Sequence, residues 1–131
     1  MPTREEIVVL AQAALAHAHA PYSKFPVSAV VVAASGRIYV GVNVENGAYP
    51  LSRCAEQIAV GAMVAAGERE IREVLILSTS NEPAPPCGAC RQILSEFAGS
   101  DTPIVCRNTA GEERRFTLGE LLPAAFRLDA R

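Results

Sequence analysis

The chain has 131 residues, half of them hydrophobic and a fifth charged: enough for one domain with a respectable core, and too apolar for intrinsic disorder. Twelve basic against 14 acidic residues leave a net charge of −2, which argues against a non-specific binder of nucleic acid or of a membrane surface. No apolar run approaches the ~20 residues of a membrane helix. The opening Thr3-Arg4-Glu5-Glu6 lacks the basic-then-apolar order of a signal peptide, so the expectation is a single domain over residues 1–131, soluble and cytoplasmic.

The first segment reads as a helix. Ile7, Leu10, Ala11, Ala14, Leu15 and Ala18 recur at helical spacing, and Thr3 with Glu6 has the spacing of a capping box. Pro21 to Pro26 must be loop. Val27 to Ala34 reads as a strand that is apolar on both faces, Ser35-Gly36 turns, and Arg37 to Val44 returns as its hairpin partner. Glu45 to Arg53 is irregular. Cys54 to Ala66 is helical in composition and closed by Gly67. Ile71 to Thr79 holds a buried strand, and the Pro-rich Asn81 to Pro86 is a loop. Cys87 to Ala98 is a second internal helix, ended by Gly99. Pro103 to Arg107 is a short strand, Thr109-Ala110-Gly111 turns, and Arg114 to Phe116 is a last strand. Thr117 caps a final helix through Leu122, stopped by Pro123. Arg114-Arg115 reads as a solvated flank of the turn.

The order is α-β-β-α-β-α-β-β-α. Helices between strands are crossovers, and crossovers cover the faces of a sheet. The expected fold is therefore α/β: a three-layer α/β/α sandwich on a mixed sheet of about five strands.

Chemistry concentrates in Cys54-Ala55-Glu56 and Pro86-Cys87-Gly88-Ala89-Cys90. Without an export signal, the four cysteines read as reduced thiols rather than disulfides. Cys87 and Cys90 have the spacing that lets two sulfurs converge on one ion. Cys54 opens another helix, and helix N-termini favour thiolate through free N–H groups and the dipole. Three thiolates from two helix starts can meet at zinc if the helices lie side by side. Three protein ligands leave a position for water, as in a catalytic site. Glu56 follows a ligand by two residues, where a carboxylate can take a proton from activated water and return it. Cys106, within Ile104-Val105-Cys106, reads as core, and His17 and His19 as surface.

These motifs form the signature of the zinc nucleobase deaminases. Further blocks narrow the likeness: Pro21-Tyr22-Ser23-Lys24-Phe25-Pro26-Val27, Gly41-Val42-Asn43-Val44-Glu45-Asn46, Tyr49-Pro50, Cys87-Gly88-Ala89-Cys90-Arg91-Gln92 and Glu120-Leu121-Leu122-Pro123-Ala124-Ala125-Phe126. In this order, from about residue 5 to 128, the chain resembles the small cytidine deaminases. The resemblance implies one zinc per chain held by Cys54, Cys87 and Cys90, with Glu56 shuttling protons. It implies that Asn43 and Glu45 hydrogen-bond the ribose and that Phe25 packs against the pyrimidine. The backbone at Ala55 would contact the pyrimidine, and Ala48, Tyr49 and Phe126 would lie at a neighbouring subunit's site in a homotetramer. The implied reaction is deamination of cytidine, and of deoxycytidine, in pyrimidine salvage. The partner is a small nucleoside, with neither nucleic acid nor membrane.

Three positions depart from the family pattern. Gln57 stands where arginine is common, Ser28 where glycine is usual, and Val42 where cysteine is usual. Three thiolates on Zn²⁺ sum to −1, and Gln57 can donate a hydrogen bond but no charge. That substitution keeps open a related substrate, blasticidin S, on the same scaffold. Rivals from other classes are a Cys-x-x-Cys thiol oxidoreductase and a non-catalytic zinc-stabilised domain. The first leaves Cys54 and Glu56 idle, and the second requires a fourth protein ligand that the sequence does not offer.

Overall fold

In the computed structural model, residues 1–128 are described, so the last three residues of the expected domain lie outside the described residues. The elements are α1 (Arg4–Leu15), β1 (Val27–Ala33), β2 (Ile38–Val42), α2 (Ala55–Ala65), β3 (Ile71–Ser78), α3 (Gly88–Ser95), β4 (Pro103–Asn108), β5 (Glu113–Thr117) and α4 (Leu118–Leu121), with a short 3₁₀ turn at Tyr49–Leu51. The strands form one sheet in the order β2-β1-β3-β4-β5. β1 runs antiparallel to both β2 and β3, β3 is parallel to β4, and β4 is antiparallel to β5. The single parallel pair is the one joined through a helix, α3, because only a crossover returns the chain in the same direction.

Alternation along β1 and β3 sends side chains to two cores. Val30, Val32, Leu75 and Leu77 pack with Ile7, Val8 and Ala11 of α1. Ala29, Val31, Val74 and Ile76 pack with Ala55, Ala59 and Met63 of α2, Leu94 of α3 and Leu118 of α4. The sheet therefore has α1 on one face and α2, α3 and α4 on the other, the expected three layers. β1 is apolar on both faces because it lies inside the sheet with helices on either side.

Several boundaries differ from expectation. The hairpin's second strand stops at Val42, since beyond it Val44 pairs instead with His19 and Arg53 as isolated bridges. α3 ends at Ser95, three residues before the expected Ala98. The final helix is one turn, Leu118–Leu121, although its Thr117–Glu120 capping box is fully formed. The last strand runs Glu113–Thr117, one residue longer at each end than expected, with Arg114 and Arg115 solvated on it: Arg114 stacks 5.0 Å over Phe116, and Arg115 pairs with Glu113.

Two small residues set how closely the layers approach. A Cβ on Gly41 would lie 2.4 Å from the Ala55 carbonyl oxygen and 2.5 Å from the Ala59 nitrogen. Glycine there is what lets the start of α2 lie flush on β2. Ser28, fully buried on β1, donates its hydroxyl to the Ala11 carbonyl at 2.7 Å and ties α1 to the sheet. A hydroxyl in that tight strand is thereby satisfied rather than stranded.

Candidate active site

The starts of α2 and α3 lie side by side and bring three sulfurs together. Cys54 is the N-cap of α2 and Cys87 the N-cap of α3, while Cys90 is the third residue of α3. The Cys90 amide donates to Cys87 Sγ at 3.4 Å, so a sulfur does the capping usually done by a serine or aspartate oxygen. Cys54 and Cys87 sulfurs stand 3.8 Å apart, those of Cys87 and Cys90 3.3 Å, and all three lie within 4.8 Å of one another. None is in a disulfide.

The donor set fits zinc. Four bonds of about 2.3 Å in a tetrahedron place neighbouring sulfurs about 3.8 Å apart, close to the observed spacing. Electrostatics agree. Hydrogen bonding to Cys90 brings Cys54 down to about 7, while the same contact, burial and the charge of Glu56 push Cys90 up. Thiolates this close repel one another, and a divalent cation among them would offset that charge. Among the described residues this is the one cluster able to hold a metal, which makes one zinc per chain. Cys106 stays apart from it, buried on β4 and pushed up to about 11, mainly by burial.

Gln57 faces this cluster. Its amide nitrogen lies 3.8 Å from Cys90 Sγ and donates to it. Arg53 donates to the carbonyls of Pro50 and Ser52, and its charge favours the Cys54 thiolate. Arg91 instead spans from the Pro86 carbonyl at 2.8 Å to that of Leu121 at 2.9 Å, fastening the ligand loop to α4.

Glu56, second residue of α2, is 4% exposed. Burial pushes its carboxyl above the ordinary range, against the opposing pull of its own backbone amide and Cys90. With Cys54, Ala55 and Cys87 it lines a cavity of about 310 Å³, and Phe25, Asn43 and Glu45 line the same cavity. Seven of the eleven expected site residues thus share one space. Cys90 contributes its sulfur from the buried side without lining that space.

Asn43 and Glu45 do structural work that the sequence did not reveal. Asn43 Oδ1 accepts from the Val27 amide at 2.9 Å, and Nδ2 donates to the Phe25 carbonyl at 2.8 Å. Glu45 Oε1 accepts from the amides of Tyr22 and Ser23 at 3.0 and 3.1 Å, and Oε2 from the Ser23 hydroxyl. These bonds, the Ser23 hydroxyl foremost, hold the Glu45 carboxyl below its ordinary value. Phe25 is 37% exposed at the end of the loop they fasten.

The remaining expected residues do not line this cavity. Tyr49 is 69% exposed and meets Tyr22 edge-on, with ring centroids 5.7 Å apart. It lines a neighbouring cavity that shares Ser23 and Glu45 with the first. Ala48 precedes it as N-cap of the 3₁₀ turn. Phe126 is 69% exposed, with its carbonyl accepting from Gln92 at 3.2 Å. Sequence reasoning missed Ser23, Val27, Ile76, Ser78, Ala84 and Pro85 in the lining. Ser23 and Val27 lay within the quoted Pro21–Val27 block and Ala84 and Pro85 within the Pro-rich run leading into Cys87, while Ile76 and Ser78 carry no chemical signature in the sequence.

Residues 1–106 match the model of the cytidine and deoxycytidylate deaminase zinc-binding region. The chain is 38% identical over 122 residues to a cytidine deaminase of Sporosarcina psychrophila, covering 93% of this chain and 90% of that protein. It is 40% identical over 116 residues to one of Mycobacterium tuberculosis, covering 88% and 84%. The crystal structure of cytidine deaminase from Burkholderia pseudomallei superposes with a TM-score of 0.91 at 38% identity, covering 95% of this chain and all of that one. That of the M. tuberculosis enzyme gives 0.83 at 35% identity, over 98% and 100%. A matching zinc-binding region, full-length relatives and a shared fold agree with the three-sulfur cluster beside a buried carboxyl: the chain belongs to the cytidine and deoxycytidylate deaminase family.

Proposed function

We propose that this protein hydrolyses cytidine, and deoxycytidine, to the corresponding uracil nucleoside and ammonia. The observation that carries the reading is Glu56, buried with a raised carboxyl pKa, in one cavity with two of the three clustered cysteines and with Phe25, Asn43 and Glu45. When bound, zinc supplies a Lewis acid that makes water a nucleophile near neutral pH. Glu56 takes a proton from the water that attacks C4 of the ring and delivers it to N3, then takes the remaining proton from the new C4 hydroxyl and passes it to the departing amine. A carboxyl moved up toward neutrality suits both directions of that transfer.

Phe25 offers the pyrimidine a flat apolar face. The Ala55 amide, at the first residue of α2, has no intrahelical acceptor and is free to donate to the ring's carbonyl. Ribose hydroxyls both donate and accept, which suits the amide of Asn43 and the carboxylate of Glu45. Relatives bearing the cytidine name cover nearly the whole chain, and blasticidin S is not favoured as the substrate.

The assembly belongs to the same reading: a homotetramer in which Ala48, Tyr49 and Phe126 serve a neighbouring copy's site. Tyr49 and Phe126 stand exposed on the single chain, and the outer face of α2 carries Gly61, Ala62 and Ala65 with no charged side chain. A cytoplasmic place in pyrimidine salvage fits three thiols that must stay reduced to hold metal. The test is ammonia release and loss of cytidine absorbance by purified protein whose zinc is quantified. The wild type should turn over with about one zinc per chain. Glu56→Gln should keep its zinc and lose activity by about 10²–10⁴-fold, the share of a general acid–base group. A zinc-replete wild type without turnover, or a Glu56→Gln variant with full turnover, would overturn the reading.

A further inference from the structure

Ser23 lies between the loop that carries Phe25 and the carboxylate of Glu45. Its hydroxyl oxygen accepts from the Phe25 amide at 3.0 Å and donates to Glu45 Oε2. The amides of Tyr22 and Ser23 engage the other oxygen of the same carboxylate. Beyond Phe25, Asn43 holds the Phe25 carbonyl and the Val27 amide. Between Ser23 and Phe25 stands Lys24, at a φ of 59°. Residues with a side chain seldom adopt that left-handed conformation, and it persists where surrounding contacts over-determine it. The bond from the Phe25 amide back to Ser23 Oγ spans Lys24 and is such a contact.

We propose that Ser23 is a positioning residue: by bridging the Phe25 amide and the Glu45 carboxylate, its hydroxyl locks Phe25 and Glu45 together at the rim of the cavity before substrate arrives. The effect on substrate rests on the nucleoside reading above; the lock itself does not.

Without the hydroxyl, the Phe25 amide and one oxygen of Glu45 turn to water, and Lys24 is free to leave the left-handed region. The binding-competent loop then becomes one conformation among several. Apparent affinity falls by the fraction of time that it is populated, while the chemistry at Glu56 is untouched once substrate is seated. Losing one hydrogen bond to a charged group makes the change on the order of tenfold.

The experiment uses the zinc-loaded full chain as wild type, Ser23→Ala and Ser23→Thr. It measures amide hydrogen exchange at Phe25 together with kcat and KM for cytidine. In Ser23→Ala, exchange at Phe25 should quicken and KM rise, each by about tenfold, while kcat and zinc content hold. Ser23→Thr, which keeps a hydroxyl, should restore both. Unchanged exchange at Phe25 overturns the proposal, as does an unchanged KM. A parallel fall of kcat with loss of zinc also overturns it, because that marks a merely structural role. If the wild type does not deaminate cytidine, the functional reading falls by itself and exchange still decides the lock: faster exchange in Ser23→Ala upholds it, and unchanged exchange removes it.

Discussion

Gln57 reaches Cys90 Sγ as a neutral donor. A hydrogen bond to a ligand sulfur withdraws some charge from three thiolates without adding a cation, and outer partners of this kind tune metal affinity about 10–100-fold. Gln57→Leu keeps the bulk and removes the donor. Competition with a chelator should show weaker zinc retention by about tenfold or more, whereas equal retention would leave Gln57 without a role at the metal. Cys54, Glu56, Cys87 and Cys90 were legible in the sequence because their relationships are local: positions at a helix start fix where each side chain can point. The hydrogen bonds that Asn43 and Glu45 make to the loop before β1 were not legible. Their partners, Phe25, Val27, Tyr22 and Ser23, are brought to them only when the loop before β1 folds over the end of β2.

At the scale of elements, the seat of α2 on β2 depends on Gly41. Overpacking a fixed interface costs about 1–3 kcal/mol, and here the clash is with the backbone of α2 at Ala55 and Ala59. Gly41→Ala should therefore lower stability to denaturant by about that amount and loosen zinc, since α2 carries Cys54 at its start. A variant as stable as the parent would mean that the helix can shift freely. The β4–β5 hairpin makes a pH-dependent contribution. Burial raises the Glu113 carboxyl, but hydrogen bonds from Arg107 and Arg115 outweigh it and hold the group below its ordinary 4.5. Below that value the unfolded chain takes up its proton first, so this contribution is present above pH 4.5 and lost as pH falls through the lower folded value. Thermal melts of wild type and Glu113→Gln should differ at neutral pH and converge in acid; parallel curves would dismiss the pair. Boundaries were the least legible feature of the elements. β2 ends where Val44 turns to pair with His19 and Arg53, and no local propensity encodes partners that distant.

On the scale of the whole molecule, the single chain leaves Tyr22, Tyr49, Leu51 and Phe126 exposed. Tyr22 and Tyr49 stand edge-on to one another, and exposed aromatic clusters of this kind often mark a contact between chains. Sedimentation equilibrium of the zinc-loaded protein should give four times the chain mass, with Tyr49→Ala shifting the assembly toward smaller species. A monomer at micromolar concentration would remove Ala48, Tyr49 and Phe126 from the site. The layer order, by contrast, followed from the sequence. An apolar central strand and two helices standing between strands as crossovers admit few arrangements other than a mixed sheet between helices. The sequence by itself thus determined the elements and the family, and it singled out Cys54, Glu56, Cys87 and Cys90 as candidates, because Cys54-x-Glu56 and Cys87-x-x-Cys90 are patterns within a turn of chain. Tertiary structure alone decided the rest: that α2 and α3 start side by side, that Glu56 is buried enough to raise its pKa, and that Ser23, Glu45 and Asn43 close on Phe25. Those are distances between residues far apart in the chain, fixed by how the sheet packs its layers and not by any local preference.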